Sequence, residues 1–295
     1  MAASPSRAAV APVARIQERM VMPELPEVES ARTVIERSGL HRRIVDVDDS
    51  DTYECRPHAP GEIRAALIGR TLTSVHRRGK SMWCETSGAG RGRRPGPDLG
   101  VHLGMSGKVV IADSDGSETD GGDYWERGRP TGDYRFSRFA LTFADGGRLL
   151  LIDPRRLGRV RLDPPVDDLG PDAGEVTPRE FRAAVASGSA PIKARLLDQH
   201  VIAGIGNLLA DEILWRARIH PARPVTDLSR PEVDRLLRAT RGAIRSALRS
   251  GGVHTLTLVP FRLGGAMCPR DGAPMRQGTV GGRTTWWCPR EQTLG

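Results

Sequence analysis

The chain contains few aromatic residues and few cysteines, and it lacks a long hydrophobic run. Aromatic residues make up 4% of its 295 residues, and the four cysteines are too few and too scattered for a disulfide framework. No apolar stretch approaches the roughly 18 residues that a membrane-spanning helix needs, and residues 1–21 lack the apolar centre of a signal peptide. We therefore predict a cytoplasmic protein with no membrane attachment.

Lysine is scarce as well, although the chain is strongly basic. The net charge is +8, yet only three of the 44 basic residues are lysines: Lys80, Lys108 and Lys193. Arginine guanidinium groups suit phosphate recognition, so we expect a polyanionic partner; a GC-rich genome, which also enriches Ala, Gly and Pro, is the alternative explanation. Each lysine is a candidate for a role that arginine cannot fill, such as losing a proton.

The apolar pattern predicts two domains of different class. A helix is expected over residues 28–38, and eight short strand-like runs separated by Gly, Asp and Pro follow between residues 43 and 163. This pattern is typical of an antiparallel sandwich or barrel. Two segments, 86–98 and 112–133, are predicted to be flexible insertions.

The pattern becomes helical in the second half. From Pro178 onward it predicts about four helices, and a glycine-rich tail with Trp286, Trp287 and two cysteines is expected to form a small hairpin. Between two of these helices lies AGIGN, residues 203–207, whose glycines would let backbone N–H groups approach an anion. On its own such a turn more often serves packing than binding.

Five motifs give the chain a specific likeness. They are PELPEVE (23–29), HLGMSG (102–107), DPRRLG (153–158), LLDQHVIAGIGNLLADEILWRARIHPAR (196–223) and GRTTWWCPREQ (282–292). In this order they resemble the formamidopyrimidine-DNA glycosylase / endonuclease VIII family, and PELPEVE favours the formamidopyrimidine-type branch. The resemblance implies an enzyme of the bacterial cytosol and nucleoid that removes oxidised bases from double-stranded DNA and nicks the strand.

The family fold implied is α+β. It comprises an N-terminal β-sandwich with a leading helix at residues 23–165, a helix-two-turn-helix domain at 175–253 and a zinc-finger-like β-hairpin at 260–292. Residues 1–22 would be a leader absent from the mature protein. We expect a monomer on damaged duplex DNA, with no cofactor for catalysis.

Pro23 matches the family's catalytic residue, whose free secondary amine attacks the damaged sugar to form a Schiff base. An α-amine has a pKa of roughly 7.7 to 8.0 and is partly neutral near pH 7, whereas the same nitrogen in a peptide bond has no usable lone pair. We therefore expect translation to start at Met22 and methionine removal to expose Pro23. A genuine upstream tail on an inactive DNA binder, or proteolytic processing, is the alternative.

The resemblance assigns the other site residues as well. Glu24 would transfer protons, Glu27 would support the site, and Lys80 would hold a phosphate or assist proton transfer. Met105, Arg155 and Leu157 would fill the gap left by the flipped base, although many relatives carry phenylalanine at the leucine position. Phosphate contacts are expected from Arg156, Lys193, Asn207 and Arg283.

Two departures from the family pattern affect the predicted zinc and lesion sites. The zinc-type hairpin carries two Cys-x-x-Cys pairs, but here Asp271 and Glu291 replace the second cysteine of each pair and leave Cys268 and Cys288. Structural zinc prefers sulfur and imidazole ligands, so we expect a hairpin without zinc. The segment between residues 252 and 268 also lacks the longer loop that closes over 8-oxoguanine in formamidopyrimidine-type members.

Two rival functions stay open on the sequence alone. One is a non-catalytic reader of damaged DNA, which would have less use for Glu24 and Lys80. The other is an abasic-site lyase that does not excise bases, because lyase chemistry needs the amine but no lesion pocket.

Overall fold

A computed structural model describes residues 22–88, 95–122 and 132–294. The expected leader therefore lies almost wholly outside the described residues. The first element is helix α1, Leu25–Ser38, which begins three residues before the predicted start. Glu24 is its N-cap and forms a reciprocal capping box with Glu27, and a proline occupies the first turn. The apolar face of α1 is buried as the spacing predicted.

The N-terminal half is the predicted sandwich of two antiparallel sheets. Its strands are β1 Ile44–Asp48, β2 Leu72–Arg78, β3 Ser81–Thr86, β4 Leu99–His102, β5 Lys108–Ala112, β6 Glu118–Gly122, β7 Ser137–Phe143, β8 Arg148–Ile152 and β9 Arg159–Leu162. One sheet has the order β1-β7-β8-β5-β6 and the other β2-β3-β4-β9. Alternating apolar residues of both sheets and of α1 form one buried core between them.

Two features of this half differ from the prediction. Strand β6 lies inside the segment 112–133 that was expected to be a flexible insertion, and it pairs with β5 in continuous register. A short helix, α2 at Glu62–Leu67, was not predicted. Within the two predicted insertions, residues 89–94 and 123–131 lie outside the described residues.

The C-terminal half is helical, as the sequence predicted. Its helices are α3 Pro178–Val185, α4 Ile192–Leu197, α5 Asn207–Ala217 and α6 Arg230–Ser250, with 3-10 turns at Val225–Asp227, Val253–Thr255 and Val259–Phe261. Thr177 and Ser229 start α3 and α6 through capping boxes, and a proline follows each of them within two residues. The hairpin of β10 Arg276–Val280 and β11 Arg283–Trp287 ends the fold.

The two halves meet along α1. Leu25 N–H donates to the Gly204 carbonyl at 3.1 Å, and Val253 N–H donates to the Glu27 carboxylate at 2.7 Å. Arg77 of β2 bonds both Glu29 of α1 and Asp172, which precedes α3. The start of α1 is thus fixed between the sandwich and the helices. None of the described helices is long and apolar enough to span a membrane.

Candidate active site

Glu24 is the centre of the junction between the two halves. Its side chain is 1% exposed, and its carboxylate accepts backbone N–H groups from Gly206 at 2.9 Å, Leu208 at 2.9 Å and Leu209 at 3.1 Å. These groups form the N-terminal end of α5, where the helix dipole favours negative charge. The AGIGN turn therefore binds an anion, and that anion is the carboxylate of the chain's own glutamate.

The glycine turn can hold Glu24 only because it carries no side chain at Gly206. A Cβ there would lie 2.3 Å from the Glu24 carboxyl carbon. Pro23, directly before Glu24, is also buried at this junction. The structure thus places the predicted nucleophile and the predicted proton-transfer group together, at the point where the two halves of the molecule meet.

Burial dominates the electrostatics of both glutamates. It raises the pKa of Glu24, while the positive charge of Lys80 and the three backbone N–H groups oppose that shift. Burial also raises the pKa of Glu27 to about 8, against hydrogen bonds from Val253 and Glu24 backbone N–H groups. Glu27 accepts these bonds at 2.7 and 3.0 Å, so it fixes both the start of α1 and the exit of α6. The supporting role implied for Glu27 in catalysis stays a prediction.

Lys80 lies in the tight turn between β2 and β3, and its charge acts on Glu24. Burial lowers the pKa of the Lys80 ammonium, the negative charge of Glu24 opposes that, and the charge of Arg283 lowers it further. The preceding residue, Gly79, has φ of +62°, and a Cβ there would lie 2.8 Å from the Gly204 nitrogen. Close packing of this turn on the glycine turn therefore positions Lys80 so that its charge acts on Glu24.

His102 is a member of this site that the sequence did not single out. Burial lowers its pKa to about 4, and the charge of Lys80 contributes in the same direction. Its Nδ1 accepts the Gly104 N–H at 3.0 Å. The imidazole is therefore neutral at physiological pH and fixes the loop that follows β4. The HLGMSG motif contains this histidine and could have indicated it.

Met105, Arg155 and Leu157, called the wedge residues below, lie on two loops that share an anchor. Met105 follows β4, whereas Arg155 and Leu157 lie between β8 and β9. The buried Asp153 carboxylate accepts hydrogen bonds from the Ser106 hydroxyl and from the Arg155 and Leu157 backbone N–H groups. Leu157 is 43% exposed, and Arg155 is exposed too. The structure therefore brings the three wedge residues into one region with an open face.

Arg156 and Asn207, which are expected to contact phosphate, bond to other residues of the protein. Arg156 bonds Asp51 at 2.9 Å, and its guanidinium lies 4.6 Å from the Tyr53 ring centroid. The Asn207 side-chain amide donates to the Thr284 carbonyl of the hairpin at 3.0 Å. Arg283 is exposed at the start of β11. Phosphate contacts by these residues remain predictions.

The prediction that Lys193 contacts a phosphate is wrong. Its side chain is 0% exposed and forms an ion pair with Asp211 at 2.6 Å. The ammonium also donates to the Thr285 hydroxyl at 2.8 Å and to the Thr284 carbonyl at 3.1 Å. Lys193 therefore joins α4, α5 and β11 in the interior, where no phosphate can reach it.

The hairpin offers an incomplete set of zinc ligands. Ligand atoms of Cys268, Asp271 and Cys288 lie within 4.8 Å of one another. The fourth candidate, Glu291, is instead ion-paired with Arg270, and with Arg218 at 3.5 Å. A structural zinc site is closed by four ligands, usually sulfur or imidazole. The residues present do not fit such a site.

Comparisons with known proteins agree with this geometry. A model of the formamidopyrimidine-DNA glycosylase N-terminal domain matches residues 22–160, and a model of the H2TH domain of the same enzyme matches residues 169–258. The formamidopyrimidine-DNA glycosylase of Parafrankia sp. is 32% identical over 91% of this chain and 97% of its own length. The Corynebacterium jeikeium enzyme is 33% identical over 90% of this chain and 98% of its own length.

Solved structures show the same likeness. The Lactococcus lactis Fpg in complex with DNA containing an abasic site has a TM-score of 0.72 and 25% identity, covering 92% of this chain and 99% of its own. The same enzyme with DNA containing FAPY-dG has a TM-score of 0.73, 25% identity and coverage of 92% and 100%. The chain belongs to the formamidopyrimidine-DNA glycosylase family.

Proposed function

We propose that this protein excises oxidised bases, 8-oxoguanine and formamidopyrimidines, from double-stranded DNA and then cleaves the abasic strand. The observation that carries the proposal is the Glu24 carboxylate, buried beside Pro23 and bonded across the junction to the N-terminus of α5. A reader of damaged DNA would have no need of a buried carboxyl group with a raised pKa in this place. The bacterial cytosol and nucleoid would be its place of action.

Pro23 is the proposed nucleophile. Its secondary amine bonds to the sugar carbon that carried the base, the base departs, and an iminium (Schiff base) remains, from which β- and δ-elimination break the strand. Glu24 is suited to move the protons that ring opening requires, because burial raises its pKa above the ordinary value of a glutamate. Catalysis of this kind needs only groups of the protein itself.

The proposal requires Pro23 to carry a free amine. In a peptide bond with Met22 the nitrogen cannot act as a nucleophile. The active form is therefore proposed to begin at Pro23, after removal of Met22. Lys80 and Arg283, whose charges act on each other, would hold the phosphates that flank the lesion.

We further infer that the hairpin keeps its shape without zinc. Glu291 is held by arginines, and the Arg270 guanidinium lies 4.0 Å from the Trp215 ring centroid. The Trp215 indole N–H donates to the Cys268 sulfur at 3.4 Å. Packing around Trp215 thus supports the hairpin where the zinc-type relatives would use a metal.

One observation favours the narrower activity of an abasic-site lyase. Residues 253–261 form two 3-10 turns, and Leu258 N–H is held by the buried Glu212 at 2.7 Å. This short, anchored segment stands where a longer loop would close over 8-oxoguanine. A lesion base would therefore have fewer contacts here than in formamidopyrimidine-type members.

Excision assays on defined duplexes test the proposal and its rival. Protein that begins at Pro23 is incubated with duplexes containing 8-oxoguanine, a formamidopyrimidine, an oxidised pyrimidine or an abasic site, and strand cleavage is measured on gels. We expect release of at least one oxidised purine together with β,δ-cleavage. Cleavage of abasic duplex alone would support the lyase, and cleavage of none would refute the proposal.

A further inference from the structure

Both wedge loops depend on a single buried carboxylate. Asp153 is 0% exposed, and its Oδ2 accepts the Leu157 and Gly158 N–H groups, each at 2.9 Å. Its Oδ1 accepts the Arg155 N–H at 3.0 Å and the hydroxyl of Ser106, the neighbour of Met105. Whatever holds Asp153 in place therefore holds the backbone of both loops.

Glu54 is the group that faces Asp153. It is also 0% exposed, and its Oε1 accepts the Gly158 N–H at 3.2 Å. Its Oε2 has no hydrogen-bond partner in the described part of the chain, and the Gly158 N–H is shared between Glu54 Oε1 at 3.2 Å and Asp153 Oδ2 at 2.9 Å. Two buried carboxyl groups that meet at one N–H repel each other when both are ionised, so this placement favours a proton on one of them.

The proton belongs on Glu54. Asp153 has four N–H or O–H donors, a set that stabilises its ionised form. Burial raises the pKa of Glu54 to about 8, with further contributions from Asp153 and from the charge of Asp51. Arg156 and Arg159 are the cations whose charges act on Glu54, and they bond Asp51 and the Tyr53 carbonyl respectively.

Gly158 makes the arrangement possible. A Cβ at this position would lie 2.6 Å from Glu54 Oε2 and 2.9 Å from the His102 carbonyl oxygen. The glycine therefore lets the two carboxyl groups and the loop backbone approach each other.

We propose that Glu54 is a positioning residue that, as a neutral carboxylic acid, clamps Asp153 and thereby holds the wedge residues in place to fill the gap left by a flipped base. This inference rests on the proposed function. Loss of the proton would set two negative charges against each other and loosen both loops. Grip on the orphaned base should then fall as pH rises, whereas the nucleophilicity of a proline amine rises over the same range.

The test measures base insertion without catalysis. A duplex carries 2-aminopurine opposite a tetrahydrofuran abasic analogue, which cannot react, and its fluorescence change is recorded with saturating protein between pH 6.5 and 9.5. Anisotropy confirms saturation at each pH. Because a group with a pKa of about 8 goes from roughly 90% neutral at pH 7 to roughly 10% neutral at pH 9, we expect the change to fall about tenfold.

Two variants separate this clamp from a general effect of pH. Glu54→Gln stays neutral, accepts from Gly158 and donates to Asp153, so its fluorescence change should be independent of pH. Glu175→Gln, at an exposed glutamate in the same chain, should follow the wild type.

Three results would overturn the proposal: a flat wild-type profile, a Glu54→Gln profile that falls with the wild type, or no fluorescence change at pH 7. If Glu54→Gln does not fold, the wild-type profile alone decides. Borohydride trapping on single-stranded abasic DNA reports the amine chemistry separately. Its failure would count against the proposed function and leave the fluorescence result valid.

Discussion

Replacing Lys193 by methionine should destabilise the helical half and leave the number of contacts between the protein and DNA phosphates unchanged. The ammonium pairs with Asp211 at 2.6 Å and bonds two oxygens of the hairpin, all in the interior. Removing one partner of a buried ion pair costs roughly 3–5 kcal/mol. Asp211 would keep Arg262 at 2.9 Å, so we expect the lower end, about 3 kcal/mol.

Urea unfolding and salt-dependent DNA binding together check this prediction. A side chain that neutralises a phosphate contributes about one to the slope of log K against log salt concentration. Lys193→Met should lower the unfolding free energy and keep the wild-type slope under conditions where it is folded. The exposed Arg283 is the matched control: Arg283→Met should keep wild-type stability and reduce the slope by about one. Wild-type stability of Lys193→Met with a reduced slope would refute the buried role.

Three further predictions concern the active site and the hairpin. Glu24→Gln leaves one side-chain oxygen to accept three N–H groups, so the free energy of unfolding should fall by about 2 kcal/mol. Excision measured in single-turnover assays should be at least about 100-fold slower, and a wild-type rate of excision would contradict the proton-transfer role. Leu157→Phe should tighten binding of abasic duplex by about 1 kcal/mol through stacking, as measured by anisotropy, and unchanged affinity would argue against a wedge at this position. Protein purified without added zinc should contain no stoichiometric zinc by elemental analysis, and one zinc per chain would show that Cys268, Asp271 and Cys288 suffice to bind it.

The regular elements could be predicted because local patterns determine them. Alternating apolar residues marked most strands, and prolines and capping residues marked α3 and α6. Strand β6 has the sequence ETDGG, which carries no apolar alternation. It forms because β5 provides a strand to pair with. Gly121 also lets the strand pack closely on α1, since a Cβ there would lie 2.6 Å from the Ser30 backbone. Tertiary contacts of this kind override local propensity.

The candidate site was predictable only where a motif carried it. PELPEVE contains Glu24, and AGIGN contains the glycine turn that binds its carboxylate. Neither motif indicated that the glutamate and the turn bond to each other. Lys193 matched a basic position in the family pattern, and its burial depends on Asp211, which the pattern does not reveal. Glu54 lies in an irregular loop with no motif around it. Its importance comes from Asp153, which is distant in sequence and adjacent in the fold.

The most direct test of the account is the identity of the atom that bonds to DNA. Protein that begins at Pro23 is mixed with abasic and lesion-containing duplexes under borohydride, and the adduct is digested and mapped by mass spectrometry. A matched protein with one extra residue before Pro23 serves as control. The account predicts a reduced adduct on Pro23 in the first protein and none in the second. An adduct on Lys80, or equal trapping by both proteins, would contradict it.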